Sequence, residues 1–272
     1  MRCDWYYRWL VAFLVLTPFA LKSFLSEFSI VRSNIGILFL IALSGVTLFN
    51  LCVYFSLKYT TSTNASIIIS VFPIFVLTFG VLIGKEKLHK IQAYSMILSF
   101  LGALIIVSHG NILQDLSCLF CNIGDFIALT AALCWAVYVY AVKFKPKNLS
   151  PIGFLYSVIL IGVILIIPLY LFDVFYLENA FEWSGINAAV ILALGIGVSV
   201  IGLLSMNLSI AKFGPNTTSI LYYLAPLFTS IAATLVLGEK FEYFHFIGML
   251  AILAGVNLPL IARLLSRSFG SK

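Results

Sequence analysis

Apolar residues fill this chain in long runs, and short polar breaks separate them. A membrane-spanning helix needs about 20 mostly apolar residues. The runs at roughly 7–25, 35–57, 63–83, 91–108, 124–143, 152–172, 187–211, 216–237 and 244–263 fit that length. The breaks carry Gly, Asn, Lys, Pro and Ser, as in GKEKLHK at 84–90, KFKPKNLSP at 143–151 and KFGPN at 212–216. Backbone facing lipid must satisfy its own hydrogen bonds, which a helix does within one segment. The alternating ten-residue segments of a membrane β-barrel are absent from the sequence. The expectation is an all-α, polytopic membrane bundle of nine transmembrane helices.

Composition supports lipid as the solvent. The 272 residues are 62% hydrophobic and 10% charged, with mean hydropathy +1.11. A soluble domain carries roughly 25% charged residues. The net charge of +6 does not point to nucleic acid, because Lys and Arg sit in short loops beside apolar runs. Lys85, Lys87, Lys90, Lys143, Lys145, Lys147, Lys212 and Arg263 fall on one side of the alternating topology. That side is expected to be cytoplasmic and to hold the C-terminus. Asp115, Asp173, Glu178, Glu182 and Glu242 fall on the other side, together with Arg2 and Arg8, which oppose the charge rule locally.

The sequence repeats itself. TNASIIISVFPIFVLTFGVLIGKEKLHK, from 63, aligns with NTTSILYYLAPLFTSIAATLVLGEKFEYFH, from 216. Ser56 meets Ser209, Ser66 meets Ser219, Pro73 meets Pro226, Glu86 meets Glu239, Met96 meets Met249 and Gly102 meets Gly255, all at an offset of 153 without a gap. The second copy begins five helices after the first, an odd shift, so the copies are inverted in the membrane. Inverted repeats let two related packings exchange access around one midplane site. The first repeat covers 1–110 with four helices, the second 124–265 with five.

LSGVTLFNLCVYFSLKYTTSTNASIIISVFPIFVLTFGVLIGKEKL, GDFIALTAALCWAVYVYAVK and LSIAKFGPNTTSILYYLAPLFTSIAATLVLGEKF, with the closing GMLAILAGV, resemble EamA-like members of the drug/metabolite transporter superfamily. The resemblance covers nearly the whole chain. It implies ten helices in two inverted five-helix repeats, and this chain is similar to that arrangement without the first helix. It also implies that the helices at 63–83 and 216–237 face a central cavity. The activity expected is transport of small metabolites by alternating access, by export or facilitated diffusion across the inner (plasma) membrane. The rival expectation is a truncated, transport-inactive paralogue kept as an assembly partner or decaying gene product.

Candidate cavity residues are Asn50, Tyr54, Ser70, Trp135, Tyr138, Asn207, Tyr222 and Tyr223. An amide within a bilayer needs a partner, so Asn50 and Asn207 face other helices or a solute. Ser66, Ser70 and Ser219 suit tight helix packing equally well. Pro73 and Pro226 remove a backbone hydrogen bond in mid-helix and are candidate hinges, or inherited kinks. Glu86 and Glu239 are read as structural caps. Trp5, Trp9 and Trp183 are read as interfacial anchors. Gly80 and Gly84 form a G-x-x-x-G pattern, a packing seam or homodimer face.

Charge is sparse where transport chemistry would need it. No Asp, Glu, Lys or Arg lies in the middle third of any expected helix, so proton coupling is expected to be weak or absent in this part of the chain. A polar, aromatic, uncharged cavity suits amino acids or related neutral and zwitterionic solutes. His89, His109 and His245 form no motif, and the Cys118–Cys121 pair has no second pair beside it. No enzyme activity, cofactor, metal site or nucleic-acid partner is expected; the partners are a small solute and membrane lipid.

Overall fold

The computed structural model describes residues 4–84, 90–108, 111, 122–176, 184–232 and 242–269. Glu86, Glu239, Trp183, His89, His109 and the Cys118–Cys121 pair lie outside the described residues. Among the described residues every regular element is helical. Seven helices among the described residues are long and apolar enough to cross a membrane: Tyr6–Ser26, Ile35–Ser56, Ser62–Leu82, Lys90–Val107, Ile123–Phe144, Pro151–Phe175 and Gly185–Phe213. The helix Tyr243–Phe269 contains a shorter apolar stretch, Tyr243–Pro259. The segments Pro215–Leu221 and Leu224–Ala232 occupy the remaining apolar run. Phe19, Leu82 and Phe175 turn outward and stay exposed, which is stable against acyl chains and not against water. The chain is a polytopic helical membrane bundle.

Small polar residues set the helix ends. Thr61 caps Ser62–Ile69 by accepting from Asn64 N at 3.1 Å, and Ser184 caps Gly185–Ala193 by accepting from Asn187 N at 3.1 Å. Each satisfies one of the donors that a helix start leaves open. Glu27 reaches across the sequence to the start of Pro151–Tyr176, where its carboxylate accepts from Ser150 N at 3.2 Å and Ser150 Oγ at 3.1 Å. Gly214 ends Leu203–Phe213 at φ +83°, a conformation that favours glycine, and Pro215 opens the next helix.

Two spans carry π-helical segments, Leu43–Leu48 and Leu194–Gly202. Moved forward by the repeat offset of 153, residues 43–48 become 196–201, inside the second segment. Such wide turns are rare and gather at functional sites. The two central prolines do not kink continuous helices. The first run breaks at residues 70–71, before Phe72–Leu82, and the second at 222–223, before Leu224–Ala232. Pro73 and Pro226 thus sit in the first turn of a new segment, where a missing N–H leaves no bond unmade.

The chain divides into two compact units, each drawing on both halves of the sequence: Met1–Leu51 with Val137–Pro215, and Cys52–Ala136 with Asn216–Lys272. In the first unit, the helix Asp4–Ser26 packs along Pro151–Tyr176 and against Leu194–Gly202. A Cβ on Gly195 would stand 2.7 Å from Val11 Cγ1 and 3.0 Å from Arg8 O, so the absence of a side chain permits this approach. Trp9 is 3% exposed. It is therefore a core residue of this unit and not the interfacial anchor expected from its place near a helix end.

In the second unit, Lys90–Val107 packs most extensively on Tyr243–Phe269. A Cβ on Gly102 would stand 2.7 Å from Gly248 O and 2.8 Å from Ile252 N. A Cβ on Gly255 would stand 2.9 Å from Ser95 O and 2.7 Å from Ser99 N. Both crossings are backbone on backbone, which only glycine allows. Ser95 Oγ donates to Gly255 O at 2.6 Å across the same seam. Around it cluster Met96, Ala103, Ile106, Ile220, Tyr223 and Ile252. Gly80 is buried and Gly84 exposed, so the G-x-x-x-G pattern does not form one buried face.

Candidate functional site

In the first unit, polar side chains meet around Gly45, inside the Leu43–Leu48 π segment. Asn50 is 5% exposed and donates from Nδ2 to Val46 O at 2.7 Å. Its Oδ1 accepts from the Arg8 guanidinium, whose Cζ lies 5.0 Å from the Trp9 ring centre. A Cβ on Gly45 would lie 2.6 Å from Tyr138 Cγ, so the glycine makes room for that ring. Tyr138 is fully buried and donates from its hydroxyl to Asn207 Oδ1 at 2.7 Å. This bond fixes the amide of Asn207, which is itself 1% exposed. Asn207 Nδ2 has no hydrogen-bond partner among the described residues, and neither has Trp9 Nε1. A buried donor left unpaired costs about 1–3 kcal/mol.

The second unit holds the other candidates in two settings. Tyr223 is 2% exposed, and its hydroxyl donates to Ser70 O at 2.9 Å. Ser70 Oγ donates back to Ser66 O at 2.7 Å. Tyr222 is exposed and meets Phe72 edge-on at 5.0 Å between ring centres. Trp135 is buried and Tyr54 half-buried. Pro73 is buried beside Phe72, and Pro226 is half-buried.

Three pairings escaped the sequence reading. Arg8 was an oddity of charge placement, yet it serves as the donor to Asn50. The signal was available: a lone Arg and a lone Asn in apolar runs both need partners. Asp125 is fully buried in the first turn of Ile123–Ala141 and accepts from Thr60 Oγ1. Beside it, a Cβ on Gly124 would stand 2.8 Å from both Ser56 O and Thr60 N, so the two segments touch backbone to backbone. Cys52 and Cys134 are both free, half-buried thiols that lie beside one another. Nothing in their spacing, 82 positions along the sequence, marks them as neighbours.

Comparison with known proteins gives these features a context. The sequence profile of the EamA-like transporter family matches residues 5–108 and 122–260, one stretch in each half of the sequence. An uncharacterized transporter of Archaeoglobus fulgidus is 32% identical over 80% of this chain and 73% of its own length. The uncharacterized transporter YyaM of Bacillus subtilis is 27% identical over 83% of this chain and 73% of its own length. One solved crystal structure superposes with a TM-score of 0.71 at 16% identity, covering 94% of this chain and 88% of the other. At that identity the likeness speaks for the fold.

Proposed function

The chain belongs to the EamA-like transporter family, and on that footing we propose that it carries amino acids or related neutral and zwitterionic solutes across the inner (plasma) membrane by alternating access. Membership already makes it a multi-pass membrane transporter of small solutes. The finer reading concerns which solutes, and how.

One observation carries it. Asn207 Nδ2 is a buried amide donor with no partner, held in place by a bond on the other end of the same amide. Inside a lipid-embedded bundle a donor kept open in this way suits an acceptor that comes and goes. Tyr138 contributes a fixed aromatic wall, and Asn50 with Arg8 supplies a second polar pair next to Gly45, whose carbonyl Asn50 also reaches. A zwitterion offers both a carboxylate for donors and an apolar or aromatic body for a ring. The π segments at matching repeat positions support exchange between two related packings. The second-unit candidates Tyr54, Ser70, Trp135, Tyr222 and Tyr223 remain part of the proposal as a separate group, with Pro73 and Pro226 as the points where the two broken helices flex. The basic loops favour a cytoplasmic C-terminus. The chain is read as a carrier, without cofactor and without enzyme chemistry.

The test is a flux screen of radiolabelled amino acids, organic acids, sugars and nucleosides in vesicles reconstituted with the purified full chain. Flux of at least one amino acid is expected, lost in Asn207→Leu and retained in a lipid-facing control such as Phe19→Leu. Transport confined to phosphorylated or strongly anionic solutes would reject the substrate class. Amino-acid flux unchanged by Asn207→Leu would reject the site.

A further inference from the structure

Tyr223 and Ser70 are separated by 153 residues, the offset that relates the two copies of the sequence, and they are bonded to each other at 2.9 Å. Two equivalent positions can touch only close to the twofold axis that relates them. The glycine seam obeys the same rule. Gly102 approaches Gly248 O and Ile252 N; subtracting or adding the offset turns these into Gly255, Ser95 O and Ser99 N, which are the atoms Gly255 approaches. Both self-contacts lie within the second unit.

The bond has a local cause. In a continuous helix Ser70 O would accept from the N–H of residue 74. Ile74 N is turned instead to Val71 O at 2.9 Å. The residue one position closer is Pro73, which has no N–H. The break in the helix therefore leaves Ser70 O without a helical donor, and the Tyr223 hydroxyl fills the gap. Pro226 stands at the same spacing after Tyr223, so the carbonyl of Tyr223 is denied the same donor.

The arrangement is one-sided: the helix breaks at 70–71 and 222–223 fall one residue out of the repeat register, and the side chains at the paired positions differ. The counterpart bond would run from the side chain at 70 to the carbonyl of 223. A serine hydroxyl is too short for that reach, and Ser70 Oγ is engaged with Ser66 O. In inverted repeats the two access states differ in which copy takes which of two conformations. A bond from a second-copy side chain to a first-copy carbonyl has no mirror image here, so it belongs to one state. We propose that the Tyr223–Ser70 bond is a latch that holds the chain in one of its two access states, and that it breaks when the copies exchange conformations. The latch rests on the alternating-access reading above and says nothing about the solute.

The test is hydrogen–deuterium exchange of the full chain in lipid nanodiscs, comparing wild type, Tyr223→Phe and Tyr223→Phe with Ser70→Tyr. Phenylalanine keeps the buried ring and removes only the donor. Losing one neutral hydrogen bond, worth about 0.5–1.5 kcal/mol, shifts a two-state population roughly 2- to 12-fold. Exchange should change by that factor in opposite directions at the two sets of helix ends, near 26–35, 144–151 and 213–215 on one side and near 56–62 and 184–187 on the other. Moving the hydroxyl to position 70 should push the pattern further the same way. Exchange that rises equally at both sets, or does not change, overturns the latch. Absence of flux in wild type with this opposed pattern intact would instead fail the transport reading alone.

Discussion

Tyr138 holds the side-chain oxygen of Asn207 at 2.7 Å, in a setting where neither residue is more than 1% exposed. The pair joins helices 69 positions apart in sequence. It decides which end of the amide is spent on structure and which end stays open. Tyr138→Phe should cost about 0.5–1.5 kcal/mol of stability, the net worth of a neutral hydrogen bond. It should also lower amino-acid affinity, because the amide can then rotate. Thermal unfolding in detergent and the concentration dependence of vesicle flux measure the two effects. A variant as stable as wild type with unchanged half-saturation would refute the positioning role.

Gly45 and Gly197 offer a paired test of packing. Gly45→Ala drives a methyl group into the Tyr138 ring and should destabilise the chain by about 1–3 kcal/mol. Gly197 lies in the other π segment, and a Cβ there meets nothing within 4 Å. Gly197→Ala should therefore be neutral or stabilise by up to about 1 kcal/mol. Equal unfolding temperatures for the two variants would contradict the described contact.

At the antiparallel seam, Gly102→Ala and Gly255→Ala should each be destabilising by about 1–3 kcal/mol. The offending atoms are backbone in both cases, so no rotamer change relieves the strain. The double variant should cost less than the sum, because widening the seam once accommodates both methyl groups. Strict additivity in unfolding experiments would mean that the two crossings respond independently.

Arg8→Met removes the donor to Asn50 Oδ1 on a residue that is buried. The expected cost is about 1–3 kcal/mol. Adding Asn50→Leu should recover part of it, because an apolar pair leaves nothing unsatisfied. A double-mutant cycle on unfolding temperature reads the coupling directly. Zero coupling energy would show that the bond contributes nothing.

Run length was enough to read the kind of elements, apolar helices long enough to span a membrane. Spanning a membrane is a local property: about 20 apolar residues either exclude water or do not. The runs at 35–57, 63–83 and 152–172 accordingly match the helices Ile35–Ser56, Ser62–Leu82 and Pro151–Phe175 closely. The family could be recognised because Pro73 with Pro226 and Gly102 with Gly255 keep one spacing along the chain. What tertiary structure alone decided is which polar group answers which. Arg8 with Asn50, Tyr138 with Asn207 and Thr60 with Asp125 are separated by 42, 69 and 65 positions, and no periodicity encodes those distances. The breaks at 70–71 and 222–223 belong to the same class. A proline in an apolar run predicts a disturbance, but whether it bends a helix or starts a new one depends on who satisfies the freed carbonyl. For Ser70 that partner is Tyr223, and only packing brings it there.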